Sequence, residues 1–148
     1  MSSIYDVAEW FLQKQPMNHK KLQKMCYYAY SWHLALHETK LFDDSSFQAW
    51  VHGPVSPKLY DLYKGNGWID LPAEGRQLQF SPKELDLLES VYLTYGNSSA
   101  NALEVLSHSE RPWKRAREGC APDERSTNEI DDNDIIEYYL SIYEGDDA

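Results

Sequence analysis

The chain predicts a mainly α fold, one compact helical domain over residues 1–148 with a small β element near 47–51 and 78–80. Apolar residues recur at helical spacing through most of its length, and most of these runs open on a Ser, Asn or Asp able to cap a helix. One run breaks the pattern: Phe47, Ala49 and Val51 alternate with Gln48 and Trp50, the period of a strand. A chain of 148 residues is expected to bury roughly 70% of the surface it exposes when unfolded, so one core suffices.

Ser2 or Ser3 caps a first helix whose Ile4, Val7, Ala8, Phe11 and Leu12 share a face, and the helix ends before Pro16. Asn18 caps a second helix running to about His37. Its Leu22, Met25, Cys26, Ala29, Trp32, His33 and Leu36 form one stripe. Tyr27, Tyr28, Tyr30 and Leu34 widen that stripe, which predicts a central helix contacted on several sides.

After the Phe47 strand, Gly53-Pro54 sets a turn, because Pro excludes the helical region for the residue before it. Ser56-Pro57 then starts a short helix that ends at Gly65. Leu78 and Phe80 alternate around Gln79 and predict a second short strand. Ser81-Pro82 with Glu84 is a helix start with a capping box, continued by Leu85, Leu88, Val91, Tyr92 and Tyr95. Ser98 starts a further short helix, Arg111-Pro112-Trp113 another turn, and Asp131 or Asp132 caps a last helix carrying Ile135, Ile136, Tyr139, Leu140 and Tyr143.

Composition narrows the function. A net charge of −10 disfavours nucleic acid and anionic membranes, whose binding relies on Lys and Arg, and favours a basic partner. Two cysteines, Cys26 and Cys120, give no disulfide framework or metal spacing. No basic segment followed by an apolar run opens the chain and no stretch reaches a membrane span, so a cytoplasmic protein is expected.

Candidate chemistry is sparse. His33 and His37 stand one helical turn apart without a third ligand, and Asp131-Asp132-Asn133-Asp134 lacks the glycine and terminal Glu of a calcium loop. Cys26 lies in a helix among apolar neighbours, which predicts an inert thiol. Neither a nucleophile elbow nor a phosphate loop is present; no enzyme, cofactor or metal is expected. Arg111, Lys114, Arg115 and Arg117 flank Trp113 and could touch nucleic acid, but pairing with the acidic C-terminal region is preferred. The remaining signal is aromatic: part of the set of 11 Tyr and 5 Trp must show edges at the surface, where rings serve protein contacts.

Taken together, Val7-Ala8 with Phe11-Leu12, KLQKMCYYAYSWHLAL from Lys21 to Leu36, Leu41-Phe42, FQAWVHGPV from Phe47 to Val55, and Ser107-His108 with Pro112-Trp113 resemble the Panacea domain. This is the SocA-like antitoxin family, met also among phage-associated GepA-like proteins. The resemblance implies a mostly helical domain that neutralises a toxin by direct protein contact. The partner it implies is a cognate protein toxin, expected to be basic and encoded by an adjacent gene. Alternatives are an adaptor that delivers the toxin to a protease and a nucleic-acid-binding regulator.

Residues matching the family pattern are Lys21, Leu22, Gln23, Lys24, Tyr27, Tyr28, Trp32 and His33, then Trp50, Gly53, Pro54 and Val55, then His108, Pro112 and Trp113. Most of these are expected to define the fold. Lys24, Trp50, His52, Tyr60 and Trp113 are the expected toxin contacts, with rings near Trp50, Tyr60 and Trp113 exposed as anchors.

Overall fold

The computed structural model describes residues 2–145, and its architecture is mainly α with one small antiparallel sheet. Helix α1 (Ile4–Lys14) begins where Ser3 and Asp6 form a reciprocal capping box. Helix α2 (His19–His37) begins where the Asn18 side chain accepts from the Lys21 N–H. Losing such a cap costs about 1 kcal/mol, so both starts are firmly set by local sequence.

Helix α2 is the axis of the molecule. Leu22, Met25, Cys26, Tyr27, Tyr28 and Ala29 are all fully buried, so it is covered round most of its circumference. Its neighbours are α1, α3 (Pro57–Tyr63), α4 (Pro82–Tyr95), α5 (Ala100–Ser109) and α7 (Asp132–Gly145), along with strand β2 (Gly53–Val55). Rings fill much of the space between them: Tyr28 stacks on Tyr95 at 4.1 Å between centroids, and Tyr27 meets Phe47 edge-on at 5.4 Å.

The sheet differs from the sequence expectation. Strand β1 (Gln48–Trp50) pairs with β2 in a tight hairpin, register Gln48 to Val55 and Trp50 to Gly53, turning through Val51 and His52. Gly53 has φ +116°, a backbone that side-chain-bearing residues rarely adopt. Residues 78–80 form no strand. The outer edge of β1 is already taken: Ala49 N–H donates to the Asn128 carbonyl at 2.8 Å, and Ile130 N–H to the Phe47 carbonyl at 2.9 Å.

The 64–81 connection is held instead by a side chain. The buried carboxylate of Glu9 accepts from the backbone N–H groups of Glu74 (2.9 Å), Gly75 (2.8 Å) and Arg76 (3.2 Å). Three consecutive N–H groups bound to one carboxylate fix the path of residues 74–76. Nearby, Leu71 N–H bonds the Met17 carbonyl at 2.8 Å, an isolated bridge that ties the connection to the α1–α2 corner.

Helix α6 (Arg111–Ala116) follows α5 after Glu110, and Asp131 caps α7 by accepting from the Asn133 N–H at 2.7 Å. Two local expectations shift. Ser99, rather than Ser98, caps α5, and in α4 Leu85 faces outward while Leu87, Leu88 and Val91 face the core.

Candidate functional site

Three stretches far apart in sequence meet at the β1–β2 hairpin. From α2, the Gln23 side chain grips the start of α3: its Oε1 accepts from the Ser56 N–H at 2.8 Å, and its Nε2 donates to the Ser56 carbonyl at 3.2 Å. The same Nε2 donates to His19 Nε2 at 3.0 Å. Burial, with the nearby Lys24 charge, pushes His19 down to about 4, so its ring stays a neutral acceptor.

The next residue of α2 after Gln23, Lys24, is 1% exposed. A β-carbon on Gly53 would lie 2.7 Å from Lys24 Cε and 3.1 Å from both Lys24 Nζ and Ser107 Oγ, so the lysine end occupies the space that glycine leaves. Burial, with Lys20's like charge behind it, lowers Lys24 to about 7. Among the described residues, Nζ makes no hydrogen bond and meets no carboxylate at salt-bridge distance.

The third stretch is the α5–α6 junction. His108 stacks on Trp113 at 4.0 Å, and Trp113 Nε1 donates to the Trp50 carbonyl at 2.9 Å, which fixes the hairpin from behind. His108 Nε2 is buried without a partner, and burial lowers the pKa of its ring. Above the turn, Glu104 bridges two groups, Lys20 Nζ through Oε1 and His52 Nδ1 through Oε2 at 3.2 Å. Burial acts to raise the Glu104 carboxyl, but the bonds from Lys20 and His52 outweigh it and leave it below the usual range.

The face outside this framework is aromatic. Trp50 and Tyr60 meet at 4.9 Å, Tyr60 and His19 at 5.5 Å, and His19 and Tyr63 at 5.9 Å. Trp68 stands beside them at 73% exposure with Lys20 Nζ 5.8 Å from its ring.

Trp50, His52 and Tyr60 therefore lie on one surface. Lys24 and Trp113 do not; both are beneath it, and the expectation of an exposed Trp113 ring is corrected by its indole bond to β1. Leu22, Gln23, Tyr27, Tyr28, His33, Gly53, Pro54, Val55 and Pro112 are buried, while Lys21, Trp32 and His108 are partly so. Lys21 Nζ donates to the Gly96 carbonyl at 2.6 Å, Trp32 Nε1 to Tyr95 Oη at 2.8 Å, and His33 Nδ1 to the Thr39 carbonyl at 2.7 Å.

Elsewhere, Arg117 is buried and donates to the carbonyls of Ala49 (3.0 Å), Ala121 (3.1 Å) and Glu124 (2.6 Å), while Arg115 pairs with Asp134 at 3.4 Å. Half of the basic run thus ties α6 to β1, the 121–124 loop and α7. Burial pushes the Cys26 thiol far up, and no group of three or more His, Cys, Asp or Glu among the described residues could hold a metal ion. Nor is any helix among them long and apolar enough to cross a membrane.

Sequence reasoning missed Glu9, Glu104 and Glu110. Glu110 stands before Arg111-Pro112 like a helix-capping acid, yet it is buried and makes no cap bond. It accepts instead from Tyr28 Oη at 2.9 Å and Tyr139 Oη at 2.8 Å. Nothing in the local pattern separates such an acid from a surface one.

The stretch from α2 through the hairpin to α6 coincides with a family match: the model described as antitoxin SocA-like, Panacea domain, aligns with residues 22–114. The chain belongs to this family. Its relatives include antitoxin SocA from Caulobacter vibrioides (strain NA1000 / CB15N), 31% identical over 111 residues, which cover 66% of this chain and 58% of SocA. This Panacea-domain chain thus matches less than two thirds of that relative's length. No solved structure matches it.

Proposed function

We propose that this Panacea-domain protein is an antitoxin that neutralises a protein toxin by direct contact, with the hairpin face as the contact surface. The observation that carries the reading is the convergence of three family-matching stretches, around Lys24, Gly53 and His108, under one partly exposed aromatic surface. Rigidly backed rings suit such a role, because they bury much area at low entropic cost and dominate binding energy.

Trp50 and Tyr60 are the anchors, and His52 is the polar contact between them and α5. The net charge of −10 steers a basic toxin toward the chain, and the toxin is the product of an adjacent gene. The family resemblance and the SocA relative support the antitoxin role.

Co-expression with the product of the adjacent gene tests this, scored by growth and co-purification together. Rescue with a stable complex is expected. Trp50→Ala with Tyr60→Ala should abolish both readouts while the purified variant still unfolds cooperatively. Rescue that disappears when a host protease is deleted would replace neutralisation by an adaptor role.

A further inference from the structure

Lys24 is an anomaly that the hairpin face alone leaves unexplained. A lysine 1% exposed whose ammonium meets no protein acceptor among the described residues is costly to keep charged, and an apolar residue of similar length would fill the same space at no such cost. Every other polar atom of the cluster is either spoken for or also waiting. Ser107 Oγ donates to the Glu104 carbonyl at 3.0 Å, Lys20 Nζ donates to Asn101 Oδ1 at 2.9 Å and pairs with Glu104, and His108 Nε2 has no partner.

We propose that Lys24 is the receptor for an oxyanion, a carboxylate or a phosphate group, that enters under the hairpin turn by displacing the Glu104 carboxylate from Lys20 and His52. Lys20 and Lys24 stand one turn apart on the same face of α2, so an anion between them meets two ammonium groups. Glu104 already does this in part: one of its oxygens is on Lys20, the other on His52, and its charge favours the protonated form of Lys24.

The way in is short. The His52 side chain is 74% exposed and held by Glu104 alone among the described residues, so it can swing out without disturbing the core. Gly53 keeps the turn thin enough for the lysine end to lie directly beneath it; a β-carbon there would collide with Lys24 Cε. The site shares His52 with the proposed contact face, but anion binding needs only the folded chain and is read without the toxin.

Charge sets the pH behaviour. The groups facing Lys24 are Lys20 and His19 on α2 and Glu104 and His108 on α5, with His52 on the hairpin behind Glu104. Burial keeps His19 and His108 neutral above their lowered values, and Glu104 is ionised throughout. Loss of the Lys24 proton above about 7 should therefore weaken anion binding about tenfold per pH unit.

The test titrates sulfate, a fixed-charge mimic of phosphate, and separately acetate into the purified full chain. Chloride holds the ionic strength constant, and the readouts are thermal unfolding and chemical shifts of α2. Saturable stabilisation by either anion is expected; a response to acetate assigns the site to carboxylates, and one to sulfate alone assigns it to phosphate groups. Lys24→Met should fold and lose the response, and Glu104→Gln should tighten it several-fold by removing the internal competitor. His52→Asn should leave the decline above neutral pH in place. An equal response in Lys24→Met, an equal effect of chloride, or weaker binding in Glu104→Gln would overturn the proposal.

Discussion

The side-chain amide of Gln23 and the backbone amide of Ser56 form a closed pair, with one bond in each direction at 2.8 and 3.2 Å. Ser56 is also the cap of α3, its Oγ accepting from the Leu59 N–H at 3.1 Å and lying 2.6 Å from Ser45 Oγ. One glutamine thus fixes the exit of the hairpin and the entry of the next helix.

Gln23→Ala should leave a buried N–H and a buried carbonyl of Ser56 without partners, costing about 2–4 kcal/mol. Urea unfolding measures the loss. A change below 0.5 kcal/mol, on the order expected of a surface site, would show that Ser56 finds its bonds elsewhere.

Glu110 predicts an unusual pH dependence. Burial pushes its carboxyl up to about 7, against the two tyrosine hydroxyls that favour the charged form. The folded state then holds a proton that the unfolded state releases near pH 4.5, so this group's stabilisation is full below that value and is lost as pH rises toward about 7. The loss is on the order of 3 kcal/mol. Glu110→Gln keeps an acceptor for Tyr28 and Tyr139, and its stability curve over this window should be flatter than that of the parent.

Glu9 acts in the opposite sense. Burial alone would raise its carboxyl, but the N–H groups of Glu74, Gly75 and Arg76 and the Gln13 amide outweigh it and hold it below the usual range. Its stabilisation is therefore present above pH 4.5 and fades as acid is added. Glu9→Ala should release the 64–81 connection, read as faster proteolysis near Gly75 with α2 still protected from hydrogen exchange.

Two tryptophans should separate fold from contact. Trp113→Ala removes a buried ring that stacks on His108 and bonds the Trp50 carbonyl, so a loss of about 3–5 kcal/mol is expected. Trp50→Ala removes a partly exposed ring whose Nε1 bonds only its neighbour Gln48 at 2.8 Å, and should cost under half as much. Equal losses in thermal unfolding would place Trp50 in the core.

The helices were readable because each is written locally. Ser3 with Asp6, Asn18, Ser56-Pro57 and Ser81-Pro82 with Glu84 place four helix starts within a residue, since a cap bond spans only three residues. Where local signals compete, the sequence was ambiguous. Leu78 and Phe80 alternate as a strand would, but no strand among the described residues pairs with them, and alternation by itself cannot supply a partner.

Sequence alone thus determined that the chain is helical around α2, that a strand lies near 47–51 and which residues carry the family pattern. It could not rank those residues by depth. Lys24, Glu9, Glu110 and Arg117 read as surface charges because side-chain charge normally keeps to water, and only the packed structure reveals that each is buried. Burial is a property of what the rest of the chain brings alongside. Tyr28 and Tyr139, the hairpin and the 64–81 connection arrive from distant positions, and with them the environments that decide what these groups can do.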